Sequence, residues 1–356
     1  MTSTIEKILD LGRWAPSGDN TQNWRFEITD EEHVTVHGFD TRDHCVYDLD
    51  GHPSQISLGA LLETISIAAS GYAMRVDCAT RVSADETHPT FDLHFVNDPS
   101  VQPDSLISSI QSRSVQRRPL KTRPLTAAEK QSLEAAVGAN YRMQWIEGFA
   151  LKLQAAKLMF NNAKLRLTMP EAYEVHRDVI QWNARFSEDK VPDQALGADA
   201  MTVRLMRWVM QSWKRVEFFN TFLAGTWAPR IQMDFIPSLA CAAHFVIKAK
   251  REPKTIDDYV AAGRAVQRFW LTVTELGLHM QPEMTPIIFS RYVKNGLRFS
   301  RLENMFVRAQ DLKNQVERLL VADATFPVFM GRIGAGSAPV SRSIRLPLSR
   351  LMKVWQ

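Results

Sequence analysis

One short stretch limits the folds open to this chain more than any other. Residues 13–26 read RWAPSGDNTQNWRF. The proline, serine, glycine, aspartate and asparagine in its centre favour turns, and their side chains bond readily to nearby backbone groups. From Trp24 onwards, large apolar residues alternate with charged ones, which is typical of a strand with one buried face. The stretch therefore predicts a helix end, a tight polar loop and a buried strand, an arrangement suited to holding a small polar molecule.

Apolar periodicity and turn residues predict a series of elements before a junction near residue 100. We expect a helix over residues 5–14, strands over 24–29 and 34–38, a long apolar helix over 57–69, and a strand over 91–96. Gly71 is suited to ending the long helix. Pro99, Pro103 and Asp104 then mark the junction.

A similar series follows the junction. We expect helices over residues 106–111, 126–137, 151–167 and 255–276, a strand around Met143 and Trp145, and a strand over 326–332. Thr255 suits an N-cap and Gly277 a helix stop. Residues 11–24 align loosely with 133–145, and residues 59–71 align loosely with 263–277. These weak repeats favour a duplicated chain with halves at 1–104 and 105–356.

The charge of the chain is concentrated in two short segments. Residues 111–123 carry five basic residues and no acid, and residues 341–356 carry four basic residues and no acid. Without these nine, 34 basic residues remain against 39 acidic ones, a balance of −5, whereas the whole chain has a net charge of +4. The segments predict an anion site built from two distant parts of the chain, because the forked guanidinium suits phosphate. The alternative is two solvated surface runs.

The stretch at 13–26 resembles the flavin-binding loop of the nitroreductase family, Arg-x-Ala-Pro-Ser-x-x-Asn-x-Gln-Pro-Trp-x-Phe, except that Asn23 replaces the second proline. Residues 113–117, RSVQR, resemble the family's Arg-x-Ser-x-Arg-like start with altered spacing. Residues 343–347, SIRLP, resemble its C-terminal Lys-Ser-Arg-Leu-Pro, and residues 329–334 resemble the strand before it. The resemblance covers less than half of the chain.

This resemblance implies an α+β, nitroreductase-like fold with a central, mostly antiparallel sheet flanked by helices. The order of the elements resembles a fused, internally duplicated branch of the family, the Acg-type proteins. Two pseudo-symmetric halves would then form a pseudo-dimer within one chain. The first half would be degenerate and would supply the loop that covers the flavin.

The resemblance also implies FMN as the cofactor and assigns residues to it. Two arginines and a serine of the basic loop would bind the phosphate, completed by two arginines near the C terminus. Amides of the polar loop would meet the flavin ring edge, and the loop's proline and serine would line the ring face. Arg13 would pair locally or with the phosphate. The full set is Arg13, Pro16, Ser17, Asn20, Gln22, Arg113, Ser114, Arg117, Arg342 and Arg345.

The expected function is an FMN-dependent oxidoreductase that transfers hydride or electrons between NAD(P)H and a nitro, quinone or enone-like small molecule. The resemblance implies no dedicated catalytic side chain, because the flavin does the chemistry. One alternative is an oxidase or dehydrogenase of a biosynthetic intermediate. Another is a flavin-binding or storage protein without turnover.

Residues 170–250 lie outside the minimal family fold and are rich in tryptophan and phenylalanine. Met206, Met210 and Trp213 share one helical face, flanked by Arg204 and Arg207. Three interpretations remain open: a helical insertion that covers the core, a lid over an apolar substrate cavity, or a membrane-surface element.

Composition narrows the setting. We expect no signal peptide and no integral membrane segment, because the start lacks a basic and apolar leader and no 18-residue stretch is free of charge. Three scattered cysteines indicate a reducing, cytoplasmic compartment. The basic segments lack interleaved aromatics, which argues against nucleic acid, and the histidines and acids of residues 33–52 fit no zinc spacing. We expect a monomeric pseudo-dimer or a homodimer.

Overall fold

The structure, a computed structural model, describes residues 3–223 and 225–353. It is a mixed helix and strand fold whose two four-stranded sheets are antiparallel, which confirms the predicted class. The strands form two four-stranded sheets, one in each half, instead of one central sheet. In the described residues no helix is both long and apolar enough to cross a membrane.

The elements of the first half lie close to the predicted ones. They are helix α1 (Thr4–Gly12), strands β1 (Trp24–Ile28) and β2 (His33–Gly38), helix α2 (His52–Ser70), and strands β3 (Met74–Thr80) and β4 (Thr90–Asn97). Strand β3 is absent from the prediction. The predicted helix at 106–111 is a short 3₁₀ turn at Ser105–Ser109.

The second half is longer because it contains many short elements. It begins with α3 (Ala127–Val137), β5 (Tyr141–Ile146), α4 (Gly148–Leu167), α5 (Pro170–Val179), and the two-residue strands β6 (Ile180–Gln181), β7 (Phe186–Ser187) and β8 (Val191–Pro192). It continues with α6 (Ala200–Val209), α7 (Trp213–Phe222), α8 (Trp227–Pro229), a π-helical segment (Arg230–Phe235), α9 (Ile236–Leu239) and β9 (Ala243–Ala249). It ends with α10 (Ile256–Glu275), β10 (Leu278–Pro282), α11 (Thr285–Lys294), α12 (Glu303–Leu319), β11 (Phe326–Ala335), β12 (Arg342–Ser343) and α13 (Leu348–Leu351).

The two halves share one topology. The first sheet has the order β1-β2-β4-β3, and the second has the order β5-β9-β11-β10 when read in the same direction. In each half two strands precede a long helix and two strands follow it, so α2 corresponds to α10. The duplication that the weak sequence repeats predict is therefore present in the fold.

Helices α2 and α10 pack against each other at a pair of glycines. A Cβ added to Gly59 would lie 2.0 Å from the carbonyl oxygen of Val260, and one added to Gly263 would lie 2.1 Å from that of Ile56. The contacts are reciprocal, since each glycine faces the residue three positions before the other. Only glycine lets the two backbones approach this closely. These are also the glycines that the sequence alignment pairs.

The chain crosses back to the first half near its C terminus. Met352 forms a parallel bridge with Phe26, and Lys353 donates its backbone N–H to the Phe26 carbonyl at 2.7 Å. Leu346 and Leu351 are buried in the first half's core. The predicted boundary at 104/105 thus lies between the strands of the first sheet and those of the second, but the residues after β12 pack with the first half.

Parts of the stretch at 170–250 differ in character. Strand β9 is fully buried between β11 and β5, so the second sheet already includes residues 243–249. Strand β7 pairs with β12 near the polar loop. By contrast, α6 buries none of its residues. The aromatic insertion is thus confined to residues before Ala243, and its middle lies on the surface.

Gly59→Ala tests the helix contact. A methyl group against the Val260 carbonyl must displace a helix backbone, so we expect a loss of about 1–3 kcal/mol or more in the free energy of unfolding. Urea titration followed by circular dichroism measures it. Gly18→Ala is the matched control, because nothing lies within 4 Å of its added Cβ. Equal stabilities for the two variants would contradict the tight crossing.

Candidate functional site

The polar loop between α1 and β1 is held in an unusual backbone conformation. Asp19, Asn20 and Gln22 have positive φ angles of 51°, 65° and 49°. Left-handed backbone is tolerated best by asparagine and aspartate among residues with a side chain. The Ser17 hydroxyl accepts the Gln22 N–H at 2.9 Å and closes the turn. The loop is therefore a built feature that fixes the direction of each side chain.

Two amides fasten this loop to distant segments. The Asn20 Nδ2 group lies 3.0 Å from the Glu188 carbonyl, 3.3 Å from that of Lys190 and 3.1 Å from that of Ile344. Gln22 donates to the Glu188 carbonyl at 2.8 Å and accepts the Leu346 N–H at 2.9 Å. Their amide nitrogens therefore face protein backbone, although the Asn20 Oδ1 atom is buried without a partner.

Four arginines converge at the C-terminal end of α1 and form the arginine cluster. Backbone carbonyls hold each one: Arg113 donates to Trp14 at 2.9 Å, Arg345 to Ala15 at 2.9 Å, Arg13 to Leu346 at 2.8 Å and Arg342 to Gln111 at 2.7 Å. The structure thus brings together the two basic segments that the sequence separates by more than 200 positions.

The arginine cluster lacks compensating negative charge. Its recorded carboxylate partner is Asp10, at 2.7 Å from Arg13, so four guanidinium charges face one carboxylate. Burial, together with Arg345 and Arg342, lowers the pKa of Arg113 well below its usual value. Burial, Arg342 and Arg13 lower the pKa of Arg345 to about 9. Arginine remains protonated in proteins, so these shifts express an unfavourable energy that a bound anion would relieve.

Aromatic rings and unused donors complete the cluster. Arg113 stacks on the Trp270 ring at 4.6 Å, and Arg342 lies over Trp14 at 5.3 Å. The Arg113 Nε and Trp14 Nε1 atoms are buried and have no hydrogen-bond partner among the described residues. Such buried, unsatisfied donors are costly and often mark the place of an ordered water, ion or ligand. Ser114 is partly exposed, and no bond to its hydroxyl is recorded within the described chain.

Arg117 lies apart from the arginine cluster. Burial and Arg332 lower its pKa to about 10, while Asp19 opposes the shift. Burial raises the pKa of Asp19 against the charges of Arg117 and Arg166. No ion pair or hydrogen bond to the Asp19 carboxylate is recorded in the described part of the chain, although the side chain is only partly accessible. Asp19 and Arg117 therefore influence each other's pKa without a recorded ion pair in the described residues.

Other polar side chains lie near Asp19 and Arg117, and we call this set of side chains the recess. The Tyr47 hydroxyl bonds to His176 Nε2 at 2.9 Å, and Arg166 pairs with Asp234 at 3.2 Å. Burial and Arg166 lower the pKa of His176 to about 3, so the imidazole is neutral. Tyr47, His176 and Arg166 keep part of their surface accessible. The recess therefore consists of hydrogen-bonding groups that are not packed as core.

A buried triad supports Arg117 from behind. Glu283 accepts from His244 at 2.7 Å and from Arg332 at 3.0 Å, and Arg332 also donates to the Arg117 carbonyl at 2.8 Å. Burial opposes protonation of His244, but Glu283 raises its pKa to about 10. Its second ring nitrogen meets the Ser238 carbonyl at 2.8 Å, so both nitrogens act as donors. The triad is a charged support that fixes the backbone at Arg117.

The candidate site thus contains residues that the sequence predicted and residues that it did not. The structure gathers Arg13, Arg113, Arg342 and Arg345, whereas the recorded partners of Arg117 are Ala195, Arg332 and Asp19. Pro16 and Ser17 are partly exposed residues of the polar loop, and Ser17 accepts the Gln22 N–H. Asp19, Tyr47 and Arg166 were missed by sequence reasoning. Asp19 lies inside the recognised loop and could have been considered, whereas Tyr47 and Arg166 carry no local signal.

Comparison with known proteins gives matches among solved structures. No family model matches the chain, and no curated protein does. The chain is similar to a BluB-like flavoprotein from Clostridium difficile 630, with 13% identity over 71% of this chain and 100% of that one, at a TM-score of 0.37. An FMN- and NADPH-dependent nitroreductase from Sphigopyxis sp. strain HMH has 15% identity over 71% of this chain and 99% of its own, with a TM-score of 0.36. A nitroreductase with bound FMN from Desulfitobacterium hafniense DCB-2 has 15% identity over 71% of this chain and 99% of its own, with a TM-score of 0.35.

Gln22→Ala tests the fastening of the loop. The change removes bonds to Glu188 and Leu346 and leaves buried backbone groups without partners, so we expect a loss of about 1–3 kcal/mol in the free energy of unfolding. Hydrogen exchange should also increase at the Leu346 amide. The exposed Gln102→Ala is the control. An unchanged exchange rate at Leu346 would contradict the proposed fastening.

Proposed function

We propose that this chain binds FMN and acts as an oxidoreductase of the nitroreductase type. NAD(P)H is the proposed donor, and the proposed acceptor is a nitro, quinone or enone-like small molecule. The observation that carries the proposal is the arginine cluster, in which, among the described residues, only Arg13 has a recorded carboxylate partner. The sequence resemblance of the polar loop supplies the identity of the ligand.

The arginine cluster suits the phosphate of FMN. A phosphate monoester carries a charge of about −1.5 to −2 near neutral pH, which the three uncompensated positive charges of the cluster can offset. Arg113 uses one of its five donors on the Trp14 carbonyl and has a buried Nε without a partner. Ser114, next to it, has a hydroxyl available for the same anion. The residues present therefore fit this end of the cofactor.

The recess suits the ring end. Arg117 supplies positive charge and Asp19 an acceptor, and each has bonding capacity that the described chain leaves unused. Asp19 belongs to the polar loop, which directly follows the Trp14 and Ala15 carbonyls that the arginine cluster bonds, and we propose that one elongated ligand reaches both. Asn20 and Gln22 then act by holding the loop, which differs from the ring contacts that the resemblance implies.

FMN, when bound, supplies hydride or electron transfer. The protein's task is to bind it, to hold charge near its ring and to leave room for alternating ligands. A flavin-binding function without turnover is the second candidate, because the segment at 188–190 closes over the loop. Loss of flavin colour with NAD(P)H supports the reductase, whereas loss only with a specific metabolite supports the alternative oxidase or dehydrogenase. Retention of colour in both cases supports the storage function.

The absorbance spectrum of the purified protein tests the cofactor directly. We expect a flavin spectrum and one FMN per chain, because the arginine cluster and the polar loop make one composite site. The flavin-to-protein ratio after denaturation gives the number. A colourless protein that takes up no FMN would refute the proposal, and two flavins per chain would refute the single site.

Two arginine variants separate the ends of the ligand. Arg345→Ala should weaken FMN binding about tenfold to a hundredfold and leave riboflavin binding nearly unchanged, since a charge-assisted bond contributes about 1.5–3 kcal/mol. Arg117→Ala should weaken both ligands alike, because it lies at the ring end. Fluorescence titration measures both affinities, with the exposed Arg350→Ala as control. Equal loss of both ligands in Arg345→Ala would remove it from the phosphate site.

A further inference from the structure

The surface of α6 and α7 is unusually apolar. Large side chains on both helices are exposed, with Met201 at 80% and Phe222 at 71%. They form the apolar patch, which consists of Met201, Leu205, Trp208, Phe218, Phe222 and Leu223. Contiguous exposed apolar surface of this kind usually marks a binding surface for protein or membrane.

Helix α6 is apolar on two sides. Met206 and Met210 pack against a small cluster around Ile180 and Leu196, which anchors the helix to the protein. Met201, Leu205 and Trp208 follow one another at intervals of four and three residues, so they share the other face. A helix that is apolar on both sides is normally covered on both. The outer face of α6 lacks such a cover within the described chain.

The rings of the two helices are in contact. Trp208 meets Phe219 edge to face at 5.6 Å, and Phe218 lies 6.2 Å from Phe219 and 5.2 Å from Phe222. These contacts join α6 to α7. The aromatic members of the patch therefore form one connected group across both helices.

The charges beside the patch have one predominant sign. Arg204, Arg207, Lys214 and Arg215 lie on these helices, and no ion pair is recorded for any of them in the described residues. Over residues 199–223 they face two acidic residues, Asp199 and Glu217, so the balance is +2. Arg215 stacks over Trp208 at 4.6 Å, which places a positive charge directly against the aromatic face.

We propose that the apolar patch docks the protein on an anionic phospholipid bilayer. Aromatic and aliphatic side chains would enter the interfacial region, while the four unpaired basic residues would meet lipid phosphates. This combination of exposed rings and unpaired basic groups favours an anionic membrane over a second copy of the chain. An identical positive surface would repel itself across a symmetric interface. The protein would lie on the membrane surface.

Co-sedimentation with sucrose-loaded vesicles tests the proposal on the full chain. Vesicles of phosphatidylcholine with about one third phosphatidylglycerol should bind the protein at least tenfold better than phosphatidylcholine alone, roughly the effect of a few basic residues near an anionic surface. Added salt should weaken the binding because it screens the charges.

Two pairs of variants separate the apolar and charged contributions. Met201→Ser with Phe222→Ser should lower partitioning about tenfold or more, and Arg204→Glu with Lys214→Glu should abolish the preference for anionic vesicles. The exposed Val82→Ser and Arg318→Glu, far from the patch in sequence, are the matched controls and should bind as the parent does. Circular dichroism confirms that each variant is folded.

Two results would overturn the proposal. One is equal binding to neutral and anionic vesicles, or no binding to either. The other is a dimer of the parent protein, seen by light scattering, that does not bind vesicles. If the Met201→Ser and Phe222→Ser pair dissociates this dimer, the patch is an interface between two copies. Neither result depends on a flavin, so the proposed oxidoreductase function is tested separately.

Discussion

The contact between α2 and α10 is the constraint on which the rest of the structure depends. Each helix carries the sheet of its own half, and the two halves meet where Gly59 and Gly263 bring the helix backbones together. A side chain at either position would push the sheets apart. Because the polar loop belongs to one half and Arg113 to the other, such a shift would also separate the two parts of the site. The two glycines therefore affect the geometry of the site indirectly, through the packing of α2 against α10.

The site is held together at a cost in stability. Three arginines of the cluster lack a carboxylate, and buried positive charges without partners are unfavourable. Backbone carbonyls and the faces of Trp14 and Trp270 offset part of that cost. Local arrangements that disfavour folding are common where a protein binds a ligand. The cluster also contrasts with the triad of His244, Glu283 and Arg332, in which one buried carboxylate bonds to both cations.

Much of the fold could be predicted from local patterns, and the omissions have physical causes. Helix α10 was recognisable because Thr255 caps it and Gly277 ends it with a positive φ. Strand β3 was missed although Met74, Val76 and Cys78 alternate with more exposed residues. Strand β9 is buried on both faces, so it lacks the alternation of apolar and polar residues that would reveal a strand.

For the site, charge counting predicted that two basic segments would meet. Charge counting could not predict that the partners of Arg117 differ from those of the arginine cluster. Those partners depend on the path of the chain beside β10, where Val115 bridges Met280. The partners of Asn20 and Gln22 are more than 160 positions away, beyond any local pattern.

The route of residues 342–346 has a consequence for biosynthesis. This short segment supplies two arginines of the cluster and receives the bonds of Asn20 and Gln22, which lie near the beginning of the chain. During translation the first half can form its sheet early, but the loop stays without its fastening until the ribosome has made residue 346. The arginine cluster should therefore be complete only after residues 342–346 have been made, and a ribosome stalled before β12 would present a nascent protein with the first sheet but without the full cluster.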